Sequence, residues 1–400
     1  MRTDRVITKA TLLLVSCLTV MAGATIAPAL PSLQVHFSDV KHAGLWIRLI
    51  LTLPGLFIVL AAPLAGWFLD RNGRLRLLIP SMVLYGLAGS SGLYLSSIAT
   101  ILAGRALLGI AVAGIMTSAT TLVADYYEGQ ARAQFMGWQA AFMNLGGVIF
   151  LTAGGALTEL GWRWPFSIYL FAIVLVPLAI FSLTEPARTK LKPDKTPVGT
   201  TTVPGTAKLL ALIYSATFLG MVIFYFVPLQ IPFYLKEQVG AGPTAAGLAI
   251  AGVNLFAMAT SFNYRRIRNH MGYIPILALT FGLMGAGYLL IGFGSGFLSV
   301  VGGLAIAGLG AGLLFPNINV WLTSEVPVNI RGRALGGLTT AIFLGQFISP
   351  VAGQPILVKL GLEPLFWIAG ILLLVFALVF VVLRRQISEY IRPTANPETL

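Results

Sequence analysis

Residues 66–76, Gly66-Trp67-Phe68-Leu69-Asp70-Arg71-Asn72-Gly73-Arg74-Leu75-Arg76, place one acid, three arginines and a turn glycine directly after a long apolar run. Charges at this density cannot continue into hydrocarbon, so the stretch reads as a short hinge between two membrane helices. The rest of the chain supports that solvent: 57% of its 400 residues are hydrophobic, 10% are charged, and the mean hydropathy is +0.88. A helix needs roughly 20 mostly apolar residues to cross a bilayer. Charge-poor runs of that length predict twelve spans, near 8–29, 44–69, 77–96, 99–123, 134–158, 163–183, 207–230, 244–264, 273–292, 297–322, 335–357 and 364–383. The narrowest division is Gly292-Phe293-Gly294-Ser295-Gly296, between the ninth and tenth.

A net charge of +13 raises nucleic acid as a partner, and the placement of the charges removes it. With alternating topology and both termini cytoplasmic, 20 of the 26 lysines and arginines fall on the inner side. They sit in the N-terminal tail (Arg2, Arg5, Lys9), after helix 2, at Arg132, in the central loop (Arg188, Lys190, Lys192, Lys195, Lys208), after helices 8 and 10, and after helix 12 (Arg384, Arg385, Arg392). Lys41, Arg48, Arg105, Arg163, Lys236 and Lys359 lie outside or in an outer half of a helix. This is the positive-inside bias, and the partner it implies is a lipid bilayer. Arg2, Arg5 and Lys9 before Ala22-Gly23-Ala24 imitate a cleavable signal, and Leu14-Val15-Ser16-Cys17 imitates a lipidation site, but apolarity continues to Leu33 and the bias needs helix 1 retained. Cys17 is the only cysteine, which excludes an internal disulfide. With three histidines and no nucleophile elbow, phosphate loop or metal spacing, neither an enzyme nor a bound metal or cofactor is expected.

The chain repeats itself at a constant offset of 199 residues. That offset links Gly73 to Gly272, Gly104 to Gly303, Gly109 to Gly308, Arg132 to Arg331, Gly137 to Gly336, Gly146 to Gly345, Gly154 to Gly353 and Pro165 to Pro364. Two parallel six-helix halves, 1–183 and 207–400, facing each other around a midplane site, are what such a repeat implies. Between them 184–206, with Pro186, Pro193, Pro197 and Pro204, reads as a solvated cytoplasmic linker. The second copy of the hinge is Arg265-Arg266-Ile267-Arg268-Asn269-His270-Met271-Gly272-Tyr273, which keeps the positive charge and the turn glycine but no acid.

The 66–76 segment resembles the signature loop between helices 2 and 3 of the major facilitator superfamily, with its spacing intact. The resemblance covers about residues 8 to 384 and implies an all-α integral membrane protein of twelve helices in two pseudo-symmetric bundles. It also implies a cytoplasmic conformational latch at Gly66, Asp70, Arg71, Gly73 and Arg74, in which Asp70 faces a helix N-terminus or an arginine in one conformation. Asp125, at the inner end of helix 4, is the expected partner of Arg74, and Arg132 joins the same charged surface. The competing reading is that the arginines only orient the loop inward. Arg105, four residues before Gly109, resembles the family's helix 4 motif, which implies binding of an anionic group or assistance to proton transfer. Snorkelling to the outer interface is the alternative. In helix 5 the antiporter branch usually shows a Gly-Pro pair, whereas this chain has Phe150-Leu151 between Gly146 and Gly154. Helix 11 has Gly345, Pro350 and Gly353, so the bend is expected mainly in the second half.

No carboxylate falls in the middle of a predicted span. Proton coupling therefore requires Asp70, Asp125 or Glu325, or an outer group such as Asp39 with His36 and His42. Polar and aromatic residues within spans are candidates for the cavity wall: Gln139 and Asn144 in helix 5, Tyr214, Phe218, Met221 and Tyr225 along one face of helix 7, Asn254 in helix 8, Asn317 and Trp321 in helix 10, and Gln346 in helix 11. Contact with a neighbouring helix is the competing reading for each. The set suits an amphipathic organic molecule. The expectation is a monomeric bacterial inner-membrane transporter resembling the drug and metabolite efflux branch, exporting by proton antiport. An exporter of the same fold without proton coupling, of facilitated or sugar type, is the runner-up, ahead of a non-transporting sensor.

Overall fold

The structure is a computed structural model and describes residues 5–186 and 205–391. Most of the expected linker, with Arg188, Lys190, Lys192 and Lys195 and three of its prolines, lies outside the described residues, as do Arg2, Arg392 and both extreme termini. Among the described residues every regular element is helical. The first half comprises α1 (Val6–Ala24, continued by Leu30–His36), α2 (Ala43–Asn72), α3 (Arg74–Gly89), α4 (Ile98–Tyr126), α5 (Gly129–Glu159) and α6 (Phe171–Ser182). The second comprises α7 (Thr206–Phe224, continued by Phe226–Tyr234), α8 (Pro243–His270), α9 (Tyr273–Phe293), α10 (Phe297–Glu325), α11 (Val328–Leu360) and α12 (Leu362–Val382). A short charged helix, α13 (Arg384–Ile391), follows.

Eleven of these stretches are long and apolar enough to cross a membrane unaided. The twelfth, α3, has 16 residues and reaches spanning length through the 3-10 turns of Ser90–Leu93. Its seam explains the tightening: Gly86, Gly89 and Gly92 lie three apart and meet Ile173, Tyr169 and Phe166 of the sixth span. A Cβ on Gly89 would stand 2.6 Å from the Tyr169 ring, so only glycine allows this approach. The division between α9 and α10 falls where the glycine-rich stretch predicts it, with Gly296 at φ 87° as the cap.

The outer surface is apolar, unlike that of a water-soluble protein. Phe181, Leu298 and Val382 point outward, while Arg48, Arg105, Gln230, Asn317 and Gln346 are buried. Such a surface is stable only against lipid.

By internal packing the chain forms two compact units that do not follow its halves. One comprises Met1–Ala187, Tyr225–Leu255 and Gln346–Leu362, and the other Arg188–Phe224, Phe256–Gly345 and Glu363–Leu400. Within the first, segments of the second half pack on the first half at the end opposite the Asp70 loop. Gly155 of α5 meets the backbone of Pro243, and Gly247 of α8 meets the carbonyl of Leu151.

Candidate functional site

The Asp70 loop is built around one left-handed residue. Gly73 has φ 110°, which turns the chain between α2 and α3 and leaves the first amides of α3 without helical partners. Glu185 supplies them: its Oε1 accepts the N–H of Arg74 at 2.7 Å and its Oε2 that of Leu75 at 2.8 Å. A carboxylate at this positive helix end is doubly favoured, by hydrogen bonding and by the helix dipole. A Cβ on Gly73 would stand 2.7 Å from the Glu185 oxygen. The Arg74 Nε donates to Asp125 Oδ2 at 2.8 Å, the pairing expected from sequence. Tyr126 accepts the Thr184 N–H at 2.9 Å, which holds the segment carrying Glu185 against α4. Arg71 lies over Trp67 at 4.3 Å. Asp70 is exposed and, among the described residues, has no hydrogen bond or ion pair. The group that occupies the helix N-terminus here is thus Glu185, not Asp70.

The second copy uses different chemistry at the same place. Gly272 precedes α9 as Gly73 precedes α3, but with φ −72°, in extended backbone, where Gly73 has φ 110°. Without an acid, Arg268 lies over the Tyr273 ring at 3.9 Å, and Tyr273 stacks on Trp321 at 5.4 Å. Asn317 donates to the Tyr273 carbonyl at 3.0 Å and accepts from Tyr264 at 3.3 Å. Arg132 and Arg331 keep one geometry across the repeat: each donates through Nε to the carbonyl five residues earlier, Tyr127 at 2.8 Å and Val326 at 3.4 Å.

Arg105 does not snorkel. It is fully buried, its Nη2 donates to the Gly89 carbonyl at 2.9 Å, and its guanidinium lies between the rings of Phe166 (4.8 Å) and Tyr169 (4.6 Å). Gly89 ends α3, where carbonyls lack partners and a cation is favoured. Arg163 continues the pattern, reaching the Gly92 and Leu95 carbonyls at 2.9 and 2.8 Å. The Nε and Nη1 of Arg105 have no partner among the described residues. Gly109, one turn further on, lets α4 touch the Pro54 carbonyl of α2.

The candidate cavity residues separate into groups. Tyr225 and Gln346 converge on α1, since a Cβ on Gly23 would stand 3.3 Å from the Tyr225 hydroxyl and 3.6 Å from Gln346 Nε2. Asn254 meets Gly147 of α5 in the same unit. Gln139 donates to Ser16 of α1 at 2.8 Å, and Asn144 to its own helix at Ala140. Gly146 lies against Cys17, and Gly154 against the Thr25 carbonyl. In the second unit Tyr214 donates to the Ala334 carbonyl at 2.8 Å, while Phe218 and Met221 pack on Gly345. Asn317 and Trp321 belong to the Arg268 cluster described above. Pro350 and Gly353 lie inside α11, which continues through them.

At the opposite end the structure adds residues that the sequence reading passed over. Arg48 of α2 and Gln230 of the second half are both buried and bonded to each other. Glu159, at the end of α5, accepts the N–H and hydroxyl of Thr244 at 3.3 and 3.1 Å and so caps α8. The available signal was a lone polar group in an apolar run, Arg48 in Leu45-Trp46-Ile47-Arg48-Leu49-Ile50 and Gln230 between Leu229 and Ile231. His36, a candidate for proton coupling, lies against the rings of Phe37 and Trp162.

Residues 12–240 and 210–398 each match the family described as the Major Facilitator Superfamily. The transporter EfpA of Mycobacterium tuberculosis is 25% identical over 344 residues, covering 77% of this chain and 64% of EfpA, so the chain spans less than two thirds of that relative. The quinolone resistance protein NorA of Staphylococcus aureus is 21% identical, covering 80% of this chain and 83% of NorA. Multidrug resistance protein 1 of Bacillus subtilis is 24% identical over 74% of this chain and 76% of its own. Among solved structures, a bacterial homologue of the human lysosomal transporter Spinster superposes with TM-score 0.75 at 16% identity, over 97% of both chains. A D-xylose–proton symporter does so with TM-score 0.76 at 16% identity, over 94% of this chain and 96% of its own. At these identities the likeness to the solved structures is one of fold.

Proposed function

We propose, from the premise that this chain belongs to the major facilitator superfamily, that it is a secondary transporter exporting amphipathic small molecules across a bacterial inner membrane in exchange for protons. The names of two relatives, a quinolone resistance protein and a multidrug resistance protein, support export of such molecules. The proposed organisation is two six-helix halves, 1–183 and 207–400, joined by a cytoplasmic linker at 184–206. Both termini are cytoplasmic and the chain acts as a monomer.

The observation that carries the alternating-access reading is the makeup of the first unit. It gathers 225–255 and 346–362 of the second half onto the first half, away from the Asp70 loop. Contacts between halves of the kind gathered in this unit are those that a transport cycle must break. In this reading Asp70 is the latch acid at rest, with Glu185 holding the α3 end and the Asp70 carboxylate left for a partner in the other conformation. Substrate contacts Tyr225, Gln346 and Asn254, and protons couple through Asp70, Asp125, Glu325 or the outer group around Asp39.

The test is a panel of cationic and neutral dyes in inverted vesicles, with and without an imposed pH gradient. Uptake that collapses with the gradient and falls in Asp70→Asn supports proton-driven export. Uptake of the same dyes indifferent to the gradient would leave a facilitated carrier, and no uptake of any would remove the efflux assignment.

A further inference from the structure

We propose that Arg48 and Gln230 form a reversible catch that holds this end of the protein shut and releases once in every transport cycle. The proposal rests on the transporter reading above. Arg48 is 4% exposed, and its Nε and Nη2 both donate to Gln230 Oε1, at 3.1 and 3.0 Å. Its Nη1 donates to the Gly44 carbonyl at 2.7 Å and to Gln34 Oε1 at 3.4 Å, and the guanidinium stacks on Phe233 at 4.3 Å. Every acceptor in this set is neutral.

That choice of partners is informative. A carboxylate at position 230 would make a forked ion pair in a buried setting, and separating the two would strand a charge. The neutral amide instead offers one oxygen to both donors, which makes a weaker hold. The anchorage is also lopsided. Gly44 and Gln34 belong to the same half as Arg48, so the Nε and Nη2 edge and the face stacked on Phe233 are what reach across to the second half. When Gln230 and Phe233 withdraw together, the cation keeps Gly44 and Gln34.

Space for the released edge already exists. A pocket of about 490 Å³ beside it is lined by Gln34, Gly44 and Phe233, three residues that touch Arg48, and by Lys236 and Glu237. Water, or the Glu237 carboxylate, can replace Gln230 there, so opening leaves no unsolvated guanidinium. A contact that is specific when made and tolerable when broken suits a part that must switch.

The test is a distance measurement that needs no substrate. Spin labels at Lys41→Cys and Gln238→Cys, both exposed, are introduced with Cys17→Ser in lipid nanodiscs. Gln230→Leu and Arg48→Gln are expected to raise the population of the long-distance form roughly tenfold or more, the scale of a lost hydrogen bond to a charged group. Gln230→Glu is expected to lower it and to slow dye export. Distance distributions unchanged by all three, or Gln230→Glu moving in the same direction as Gln230→Leu, would overturn the catch. The Gln230 pair decides the matter alone should Arg48→Gln not fold. If the wild type moves no dye yet the populations shift as expected, the catch stands and the dye-efflux assignment fails. If dye export is intact and the populations do not respond, the catch alone is lost.

Discussion

The carboxylate of Glu185 closes over the amide of Arg74 at 2.7 Å, so an acid 111 residues downstream supplies the N-terminal cap of α3. The Asp70 loop is therefore shaped by a residue beyond the sixth span, and the shape depends on Gly73 leaving room for it.

Loss of that cap is the first expected outcome. Glu185→Ala should cost about 1 kcal/mol, the usual worth of an N-terminal cap, and Glu185→Gln clearly less because an amide oxygen still accepts. Thermal midpoints in one detergent would show the order wild type, Gln, Ala. Equal midpoints for all three would mean the capping contact is idle. The Arg74–Asp125 pair is partly exposed, so Asp125→Asn should change stability by less than Glu185→Ala.

Arg105 tests whether burial means structure or transport. Arg105→Ala removes the donor to Gly89 and empties the space between Phe166 and Tyr169, which should cost about 2–4 kcal/mol. Arg105→Met refills the space without burying a charge that has two unpaired nitrogens, and should recover more than half of the loss. Chemical unfolding of the purified variants measures this. If Arg105→Met is stable but exports nothing, the guanidinium works in the cycle as well as in the packing. If it is no more stable than Arg105→Ala, the packing account fails.

The two motif glycines, Gly66 and Gly109, differ in what surrounds them. A Cβ on Gly109 would stand 2.5 Å from the Pro54 carbonyl, whereas one on Gly66 meets nothing within 4 Å. Gly109→Ala should therefore destabilise by about 1–3 kcal/mol. Gly66→Ala, in an open helical position, should stabilise by up to about 1 kcal/mol. A drop in export by the stabilised Gly66→Ala protein would show that Gly66 is approached closely in another conformation. Full export would remove it from the latch.

The twelve helices were legible because the hydrocarbon sets a length that apolar runs must match. The repeat was legible because two kinds of residue hold the same places in it: Gly73 and Gly272 each precede a helix by one residue, and Arg132 and Arg331 each reach back to the carbonyl five earlier. Arg74 with Asp125 could be inferred since both had to lie at inner helix ends. Glu185 could not, because nothing local to 184–186 says which helix end is near. Arg48 and Gln230 were hidden for the same reason, being 182 residues apart. Periodicity finds the polar side of a helix but not what faces it, so Tyr225 and Gln346 looked no different from Asn317 and Trp321.

That last distinction yields a prediction about selectivity. Tyr225, Gln346 and Asn254 stand near Gly23 and Gly147 of the first unit, whereas Asn317 bonds Tyr264 and the Tyr273 carbonyl. Tyr225→Phe and Gln346→Ala remove hydrogen-bonding groups without emptying a core position as large as an aromatic ring, so they should leave thermal midpoints within a few degrees of wild type. Their effect should be on which dyes are exported, with relative uptake rates across a panel changing several-fold and unequally. Asn317→Ala should do the reverse, because it strands the Tyr273 carbonyl and the Tyr264 hydroxyl at about 1–3 kcal/mol. Its dye preferences should match wild type once uptake is normalised to folded protein. A panel in which Asn317→Ala reorders the dyes, and the Tyr225 and Gln346 variants scale all of them by one factor, would move the substrate path out of the first unit and into the second.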